Sequence, residues 1–203
     1  MIHRLASGIT DFFVQKKVIK EAEKEMYIYG FDLMISGLVN IFVVLITGII
    51  IGYIRHSIIF LLIMIPVRMY SGGYHADTHI MCNVVFEICF LISIFISDII
   101  KYYEFAWCIC VFSCIGLIVT ARYAPLENDN KKLYEYEKQK CRRVSIVLYL
   151  IFMVISLMLY VISNFVISDY HMFCRETGVY INAVLIIIAA LIIAGKKKIE
   201  LNR

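Results

Sequence analysis

Residues 33–53 read LMISGLVNIFVVLITGIIIGY, a run without a charged side chain. At 1.5 Å per residue, a helix over this run is roughly 30 Å long, which matches the hydrocarbon core of a bilayer. The whole chain has the same character, since 62% of its 203 residues are hydrophobic and its mean hydropathy is +0.82. Such a composition is typical of membrane proteins rather than of soluble domains. The sequence therefore predicts an all-α integral membrane protein.

Further apolar runs follow the first one along the chain. They cover residues 57–67, 80–100, 105–121, 144–167 and 179–194. The run at 57–67 is short, and it reaches membrane length only if its helix continues through Arg68 and Tyr70. Otherwise it is a partly re-entrant half-span. Residues 168–177 read as a polar turn, and we expect about six transmembrane helices within residues 33–194, in a single domain over residues 1–203.

The first 32 residues differ from the rest because charged side chains occur throughout them. Phe12, Ile19, Ala22 and Met26 recur at spacings of seven, three and four, which predicts an amphipathic helix. Such a helix lies either in the headgroup region of the membrane or in the cytosol as an ordinary solvated helix. At the other end of the chain, residues 195–203 form a short polar tail.

The distribution of basic residues predicts the orientation in the membrane. If the N-terminus is inside and the spans alternate, all but three of the 20 Lys and Arg residues lie on the inner side. The exceptions are Arg55, Lys101 and Arg175. Because cytoplasmic loops carry an excess of Lys and Arg, we expect a multi-pass protein of the cell membrane with both termini in the cytoplasm. Residues 66–82 and the basic loop 122–143 fall on the same side.

Residues 66–82, PVRMYSGGYHADTHIMC, combine residue types that suggest chemistry. A thiol becomes a good nucleophile near neutral pH when a base such as imidazole takes its proton, and Cys82 lies seven residues after His75. A helix that begins near Asp77 or Thr78 would place Cys82 just past its first turn. The positive end of that helix would favour a thiolate, so His75 and Cys82 are candidate catalytic residues.

Other groups in and near this stretch could support the reaction. The backbone N–H groups near Ser71, Gly72 and Gly73 are candidates for holding an oxyanion, since the two glycines permit a tight turn. A third side chain could orient the imidazole of His75. By position, the candidates for this orienting role are Asp77, Asn83 and Glu87.

Two other interpretations of this stretch stay open from the spacing. In the first, the Gly-Gly pair makes a turn in a membrane loop, the histidines are solvated, and Cys82 packs as a small apolar residue. In the second, His75, His79 and Cys82 face one metal ion, because they are four and three residues apart. A fourth ligand or an outer shell of supporting groups is not evident, so we expect no metal and no cofactor.

The same residues resemble those of a known family. The run R-x-x-S-G-G-Y-H-A from Arg68 to Ala76, followed by Cys82, is similar to that of the accessory gene regulator protein B (AgrB) family of Gram-positive bacteria. Ala124-Pro125 at the start of the basic loop is also similar, as are the chain length, the amphipathic N-terminus and the six-span pattern. The resemblance covers nearly the whole chain, and its specific part is residues 66–82.

The resemblance implies an activity. Family members are membrane cysteine endopeptidases of quorum sensing that remove the C-terminal tail of a small precursor peptide, AgrD, and help to form its cyclic thiolactone. It implies that His75 and Cys82 are the catalytic pair and that Arg68 and Gly73 support them. Because Arg68 ends an apolar run, its charge must be paired, either by Glu87 or by a substrate carboxylate. The expected partners are an AgrD-like peptide and membrane lipid, without nucleic acid and with a homodimer left open.

The basic loop, residues 122–143, is the expected docking surface for an acidic precursor tail. We assign this docking to Lys131 and Lys132, and it would be largely electrostatic. The alternative is that the loop merely marks the cytoplasmic side of the protein. For the protein as a whole, the alternatives are a membrane transporter or export component for a peptide, without proteolytic activity, and a non-catalytic membrane scaffold.

Overall fold

The computed structural model describes residues 2–72, 79–102, 107–126, 134–165 and 170–201. These residues form seven α-helices and a single 3₁₀ turn, without a strand among them. The helices are α1 (Ile2–Gln15), α2 (Lys24–Ile50), α3 (Ile54–Ser71), α4 (His79–Tyr102), α5 (Trp107–Tyr123), α6 (Glu135–Ser163) and α7 (Tyr170–Leu201). Among the described helices, α2, α3, α4, α6 and α7 are long and apolar enough to cross a membrane, and α5 is shorter. The prediction of an all-α membrane protein is confirmed.

Helix α3 settles the nature of the short second apolar run. It contains 18 residues, continues through Pro66 and Arg68, and ends where the Gly72 N–H donates to the carbonyl of Arg68 at 3.1 Å. At 1.5 Å per residue this helix is about 27 Å long, so it can span most of the hydrocarbon core. The run is therefore part of one continuous helix that is long enough to be a candidate membrane span.

Helix α7 lies at the centre of the bundle. In its apolar stretch 72% of the residues are buried, against 17% in α2 and in α6. An apolar helix that is buried on most sides packs against several neighbours. Its partners include α6, where the Ser156 hydroxyl donates to the carbonyl of Gly178 at 2.7 Å, and α5, where the Asn182 amide donates to the hydroxyl of Ser113.

Both ends of α7 extend beyond the predicted boundaries. The helix begins at Tyr170, within the segment that the sequence predicts to be a polar turn, and it continues to Leu201 through most of the polar tail. Two polar side chains in its second turn have hydrogen-bond partners within the fold. Thr177 Oγ1 donates to the carbonyl of Phe173 at 2.7 Å, and Glu176 accepts from Arg55 at 2.9 Å. The helix can therefore extend past the apolar run without breaking.

The amphipathic N-terminal region forms α1 and the start of α2 rather than one helix. Helix α1 ends at Gln15, and α2 begins at Lys24 after a 3₁₀ turn. The two helices are joined by polar and aromatic contacts. His3 Nδ1 lies 2.8 Å from Asp32 Oδ2, Lys24 Nζ lies 2.7 Å from Asp11 Oδ1, and the ring of Phe13 stacks on that of Phe31 at 6.0 Å.

The bundle has two ends with different polar contacts. We call the end that holds Arg68 and Cys82 the site end, and the end that holds Arg55 and Asp98 the opposite end. At the site end, α3 and α5 meet through the Leu126 N–H, which donates to the carbonyl of Ser71 at 3.0 Å. Helices α6 and α7 reach the same end through two contacts, Arg142 with Ala121 and Lys196 with Tyr123.

Candidate active site

The candidate active site lies where α3 ends and α4 begins. Arg68, in the last turn of α3, directs Nη2 to Cys82 Sγ at 3.5 Å, and its guanidinium lies 5.7 Å from the centroid of the Phe86 ring. A guanidinium is a planar cation that stacks on aromatic faces, so the ring helps to hold it in place. The structure thus brings together two sequence-predicted residues, an arginine and a thiol, from two helices.

Cys82 lies near the start of described α4. Described α4 begins at His79, so Cys82 lies at the end of the first turn, and its side chain is half-buried. Side chains in a helix tilt toward its N-terminus, where the unpaired backbone N–H groups carry partial positive charge. The start of described α4 and the Arg68 guanidinium therefore both lie close to the Cys82 sulfur.

The Ser71–Gly72 backbone is held by the chain that follows α5. Ser71 is fully buried, and its hydroxyl donates to the carbonyl of Gly72 at 3.0 Å. Gly72 has a φ of +68°, a left-handed conformation that favours glycine. A Cβ at this residue would lie 2.6 Å from the carbonyl oxygen of Leu126, so the approach of the two backbones requires glycine on steric grounds as well.

One proposed oxyanion donor is already engaged in the structure. The Gly72 N–H donates to the carbonyl of Arg68, as described above for the end of α3. The predicted Gly73, His75 and Asp77 lie outside the described residues, as do Lys131 and Lys132. Their roles stay predictions.

The two described candidates for orienting His75 face different surroundings. Asn83 Oδ1 accepts from the Ser36 hydroxyl of α2 at 3.0 Å. Both carboxylate oxygens of Glu87 are buried, without a hydrogen-bond partner among the described residues. The Arg68–Glu87 ion pair that the sequence left open is therefore not formed. Among the described contacts of Arg68 is the one with the Cys82 thiol.

Basic residues gather at the site end beside the same junction. Nε and Nη2 of Arg142 donate to the carbonyl of Ala121 at 2.9 and 2.5 Å, which satisfies a carbonyl at the end of α5. Lys196 Nζ lies 4.1 Å from the centroid of the Tyr123 ring. Sequence reasoning missed both contacts, because neither partner is near in sequence. Arg142 therefore stabilises the end of α5, although it lies in the basic loop that the sequence predicts to be a docking surface.

The described residues contain no group of three His, Cys, Asp or Glu side chains placed to hold a metal ion. What they do contain is a half-buried thiol next to a cation and a helix N-terminus. This combination supports nucleophilic chemistry at sulfur, provided that a base takes the thiol proton.

Comparisons with known proteins agree on one family. The family model for accessory gene regulator B matches residues 6–194, which include every residue of the candidate site. AgrB-like protein 2 of Clostridium perfringens strain 13 is 28% identical over 172 residues, which cover 79% of each chain. An AgrB-like protein of C. perfringens strain SM101 is 25% identical over 169 residues, again 79% of each chain. No solved structure matches the chain.

Proposed function

The chain belongs to the accessory gene regulator B family, and on that premise we propose that it is a membrane cysteine endopeptidase that removes the C-terminal tail of a small AgrD-like precursor peptide. The observation that carries the proposal is the placement of the Arg68 guanidinium 3.5 Å from Cys82 Sγ at the start of α4. A thiol held between a cation and a helix N-terminus is suited to act as a nucleophile.

The proposed reaction has two acyl-transfer steps. His75 takes the thiol proton, and Cys82 attacks the carbonyl that precedes the tail. The C–N bond of the tetrahedral intermediate breaks, His75 returns the proton to the leaving amine, and a thioester remains on Cys82. An internal thiol of the precursor then attacks this thioester, which forms the cyclic thiolactone and restores the Cys82 thiol. One thioester replaces another, so the second step is nearly balanced in energy.

Arg68 has a defined role in this scheme. Its guanidinium stabilises the negative charge on sulfur before attack and again when the ring closes and the thiolate leaves. The Phe86 ring limits the positions that the guanidinium can adopt, so the cation is preorganised beside the thiol.

Ring closure competes with hydrolysis of the thioester. Two conditions favour the ring: exclusion of water from the site, and proximity of the internal thiol, which can be worth several kcal/mol. The location of the site at a helix end within a membrane bundle supports the first condition. The second depends on how the precursor binds, and Lys131 and Lys132 are our proposed docking residues for its acidic tail.

The experiment that tests the function uses the purified protein in lipid vesicles and a synthetic precursor with an internal cysteine and an acidic tail. We expect a shortened peptide and, after an acid quench, a peptide-sized mass adduct on Cys82. Cys82→Ala should abolish both. Cys89→Ala is the matched control, because Cys89 is a buried thiol two turns further along α4, and it should cleave at nearly the wild-type rate.

Two outcomes of that assay would favour other interpretations. Uncleaved precursor that accumulates inside the vesicles would favour a transporter. Inhibition by chelators, with a loss in His79→Ala as large as in His75→Ala, would favour the metal interpretation. Normal cleavage by Cys82→Ala would eliminate the proposed nucleophile.

The proposed orientation places both termini and the site on the cytoplasmic side. Single cysteines near Lys131 or Lys197 in a Cys-less variant should then resist a membrane-impermeant maleimide in intact cells. Cysteines near Lys101 or Arg175 should react with it. The reverse labelling would place the site on the outer face, away from a cytosolic precursor.

A further inference from the structure

Helix α2 carries a buried carboxylate that the proposed cleavage steps do not use. Asp32 is 6% exposed and directly precedes the uncharged run 33–53. Its Oδ2 lies 2.8 Å from Nδ1 of His3 in α1. Its Oδ1 is buried without a hydrogen-bond partner among the described residues. A buried acceptor without a donor costs stability in the folded protein, so a ligand that supplies a donor would be bound favourably.

The register of α2 against α4 places this carboxylate near the nucleophile. The Ser36 hydroxyl donates to Asn83 at the site end, and the Tyr53 hydroxyl, just past the end of α2, donates to Asp98 at the opposite end. The two contacts advance in the same direction along both helices, so α2 and α4 run parallel. Asp32 precedes Ser36 by one helical turn, and Asn83 is the residue after the nucleophile. Asp32 is therefore level with the first turn of described α4.

The nucleophile consequently has opposite charges on two sides. Arg68 of α3 directs its guanidinium at Cys82, whereas Asp32 of α2 carries a carboxylate close to the same level. A cationic side chain of a bound peptide is repelled by the first group and attracted by the second. The site therefore directs a peptide cation to its α2 side.

His3 occupies the place that such a cation would take on Asp32. The His3 side chain is 72% exposed, while that of Asp32 is 8% exposed, so the imidazole covers the carboxylate from the solvent side. Contacts made by exposed side chains are weak, and a stronger donor can replace them. The other ion pair between α1 and α2 differs, because Lys24 and Asp11 are 33% and 43% exposed, and water can reach both groups.

We infer that Asp32 is a specificity-determining residue: its carboxylate binds a cationic side chain of the precursor, and His3 covers the carboxylate until the peptide displaces it. This inference rests on the proposed function, because it takes the precursor as the ligand. The tail beyond the cleaved bond is expected to be acidic, so the cation belongs to the segment before that bond. Packed helices lie about 8–10 Å apart, and an extended peptide advances about 3.3 Å per residue. The cation should therefore lie within about four residues of the cleaved bond.

The test measures binding, so that its result does not depend on cleavage. Purified full-length Cys82→Ala protein in lipid nanodiscs is titrated against fluorescently labelled synthetic precursors, and fluorescence anisotropy gives Kd. Four precursors carry a single lysine at one of the four positions before the cleaved bond. Each has a partner peptide with norleucine at that position, which keeps an apolar stem of similar length and removes the charge.

Lysine at one of these positions should lower Kd by about tenfold relative to norleucine, as expected for a charge-assisted hydrogen bond to a carboxylate. Asp32→Asn should reduce this ratio to within about twofold, because the amide keeps the shape of the side chain and loses its charge. Asp11→Asn is the matched control. It also removes an ion pair between α1 and α2, but it should leave the ratio at about tenfold.

His3→Ala distinguishes a ligand site from a contact that only holds α1 on α2. His3→Ala and Asp32→Asn break the same contact, yet we expect opposite effects on the lysine precursor. His3→Ala uncovers the carboxylate and should lower Kd by about threefold, whereas Asp32→Asn should raise Kd by about tenfold. Because His3 is exposed, its substitution leaves the core intact and decides the question even if Asp32→Asn fails to fold.

The outcomes separate the inference from the proposed function. The inference is wrong if no lysine precursor binds better than its norleucine partner, if Asp32→Asn leaves the ratio unchanged, or if His3→Ala raises Kd. Cleavage of the same precursors by the wild type would then still support the peptidase. A wild-type protein that binds lysine precursors through Asp32 but does not cleave them would overturn the proposed function alone. Failure to bind any of the precursors would overturn both.

Discussion

The two ends of α3 carry the same kinds of residue in different surroundings. At the opposite end, Arg55 donates to the Glu176 carboxylate at 2.9 Å and lies 4.6 Å from the ring of Phe173. At the site end, Arg68 also lies near an aromatic ring, and its Nη2 is directed at the Cys82 thiol. A carboxylate neutralises an arginine, whereas a neutral thiol gains from it mainly when the sulfur becomes negative. The first arrangement stabilises the fold, and the second is suited to chemistry.

The turns beyond the two ends differ in the same way. Gly52 and Gly72 are both left-handed, yet Gly52 faces open space while Gly72 lies against the Leu126 backbone. The carboxyl groups near the two ends differ as well. At the opposite end, Asp98 accepts a hydrogen bond from the Tyr53 hydroxyl at 3.2 Å. Nearer the site end, both oxygens of Glu87 are buried without a hydrogen-bond partner among the described residues. Proteins commonly depart from local energetic rules where they function, so this contrast also favours the site end as the functional one.

The largest expected effect on activity comes from substituting the arginines at the two ends of α3, Arg68 and Arg55. Arg68→Gln should lower kcat for precursor cleavage by about 100-fold, since it removes the positive charge beside the reacting sulfur. Arg55→Gln should leave kcat within about twofold. It should lower stability by about 1 kcal/mol or less, because its ion pair is partly exposed. Cleavage assays and thermal unfolding of both variants in the same detergent provide the measurements.

Arg68→Lys sharpens this test. It keeps the charge but loses the planar group that lies on Phe86, so an intermediate kcat is expected. If Arg68→Gln and Arg55→Gln both lower stability and neither lowers kcat, the two ends are equivalent and Arg68 is a structural residue.

Much of the fold could be predicted from composition because a membrane span is a long local signal. The apolar run at 33–53 lies within α2 as far as Ile50, and that at 80–100 lies within α4. The errors occur where polar residues continue a helix, as at the start of α7, because the pairing of Glu176 with Arg55 joins residues far apart in sequence. Such a pairing depends on how the helices pack.

The candidate site could also be predicted only in part from the sequence. Residues 66–82 could be selected from their types and spacing, but the side chain that Arg68 contacts could not. Whether the C-terminal turn of α3 points toward Cys82 or Glu87 depends on the rotation of α3 against α4, and the spacing of residues in the sequence does not determine it. The contact of Gly72 with Leu126 is harder still to foresee, since it joins backbones on two helix ends and needs no particular side chain at Leu126.

A smaller effect tests whether the basic loop belongs to the functional end. Lys131→Gln with Lys132→Gln should raise KM for an acidic precursor by about tenfold at low salt, if each lysine forms an ion pair with the tail that contributes about 0.7 kcal/mol. The value of kcat should hardly change, because docking the tail is uniform binding. Added salt should raise the wild-type KM and reduce the difference in KM between the wild type and the double variant.

Another lysine pair at the site end provides the control. Lys197→Gln with Lys198→Gln removes the same charge from the end of α7 and should change KM by less than about twofold. Equal effects of the two double variants would show that only the total charge of this end matters. A wild-type KM that does not respond to salt would exclude electrostatic docking.

The smallest expected effect comes from one substitution made at both ends, Glu to Gln. A carboxyl group that is buried in the apolar part of a membrane helix without a hydrogen-bond partner destabilises the fold by a few kcal/mol, at about this order of magnitude. Glu87 lies about 12 Å along α4 from His79, and its oxygens have no hydrogen-bond partner among the described residues. Glu87→Gln should therefore raise stability by about 1 kcal/mol, which is part of that cost, because the amide is still polar. Glu176→Gln should lower stability by a similar amount, because it leaves the Arg55 cation without its carboxylate. Denaturant unfolding in detergent measures the change in the free energy of unfolding for both variants. The cleavage rate of each variant should stay within about threefold of wild type.

A loss of more than about tenfold in the cleavage rate of Glu87→Gln, at unchanged stability, would instead identify Glu87 as the group that orients His75. In that case the catalytic machinery would extend about one and a half turns further along α4 than Cys82.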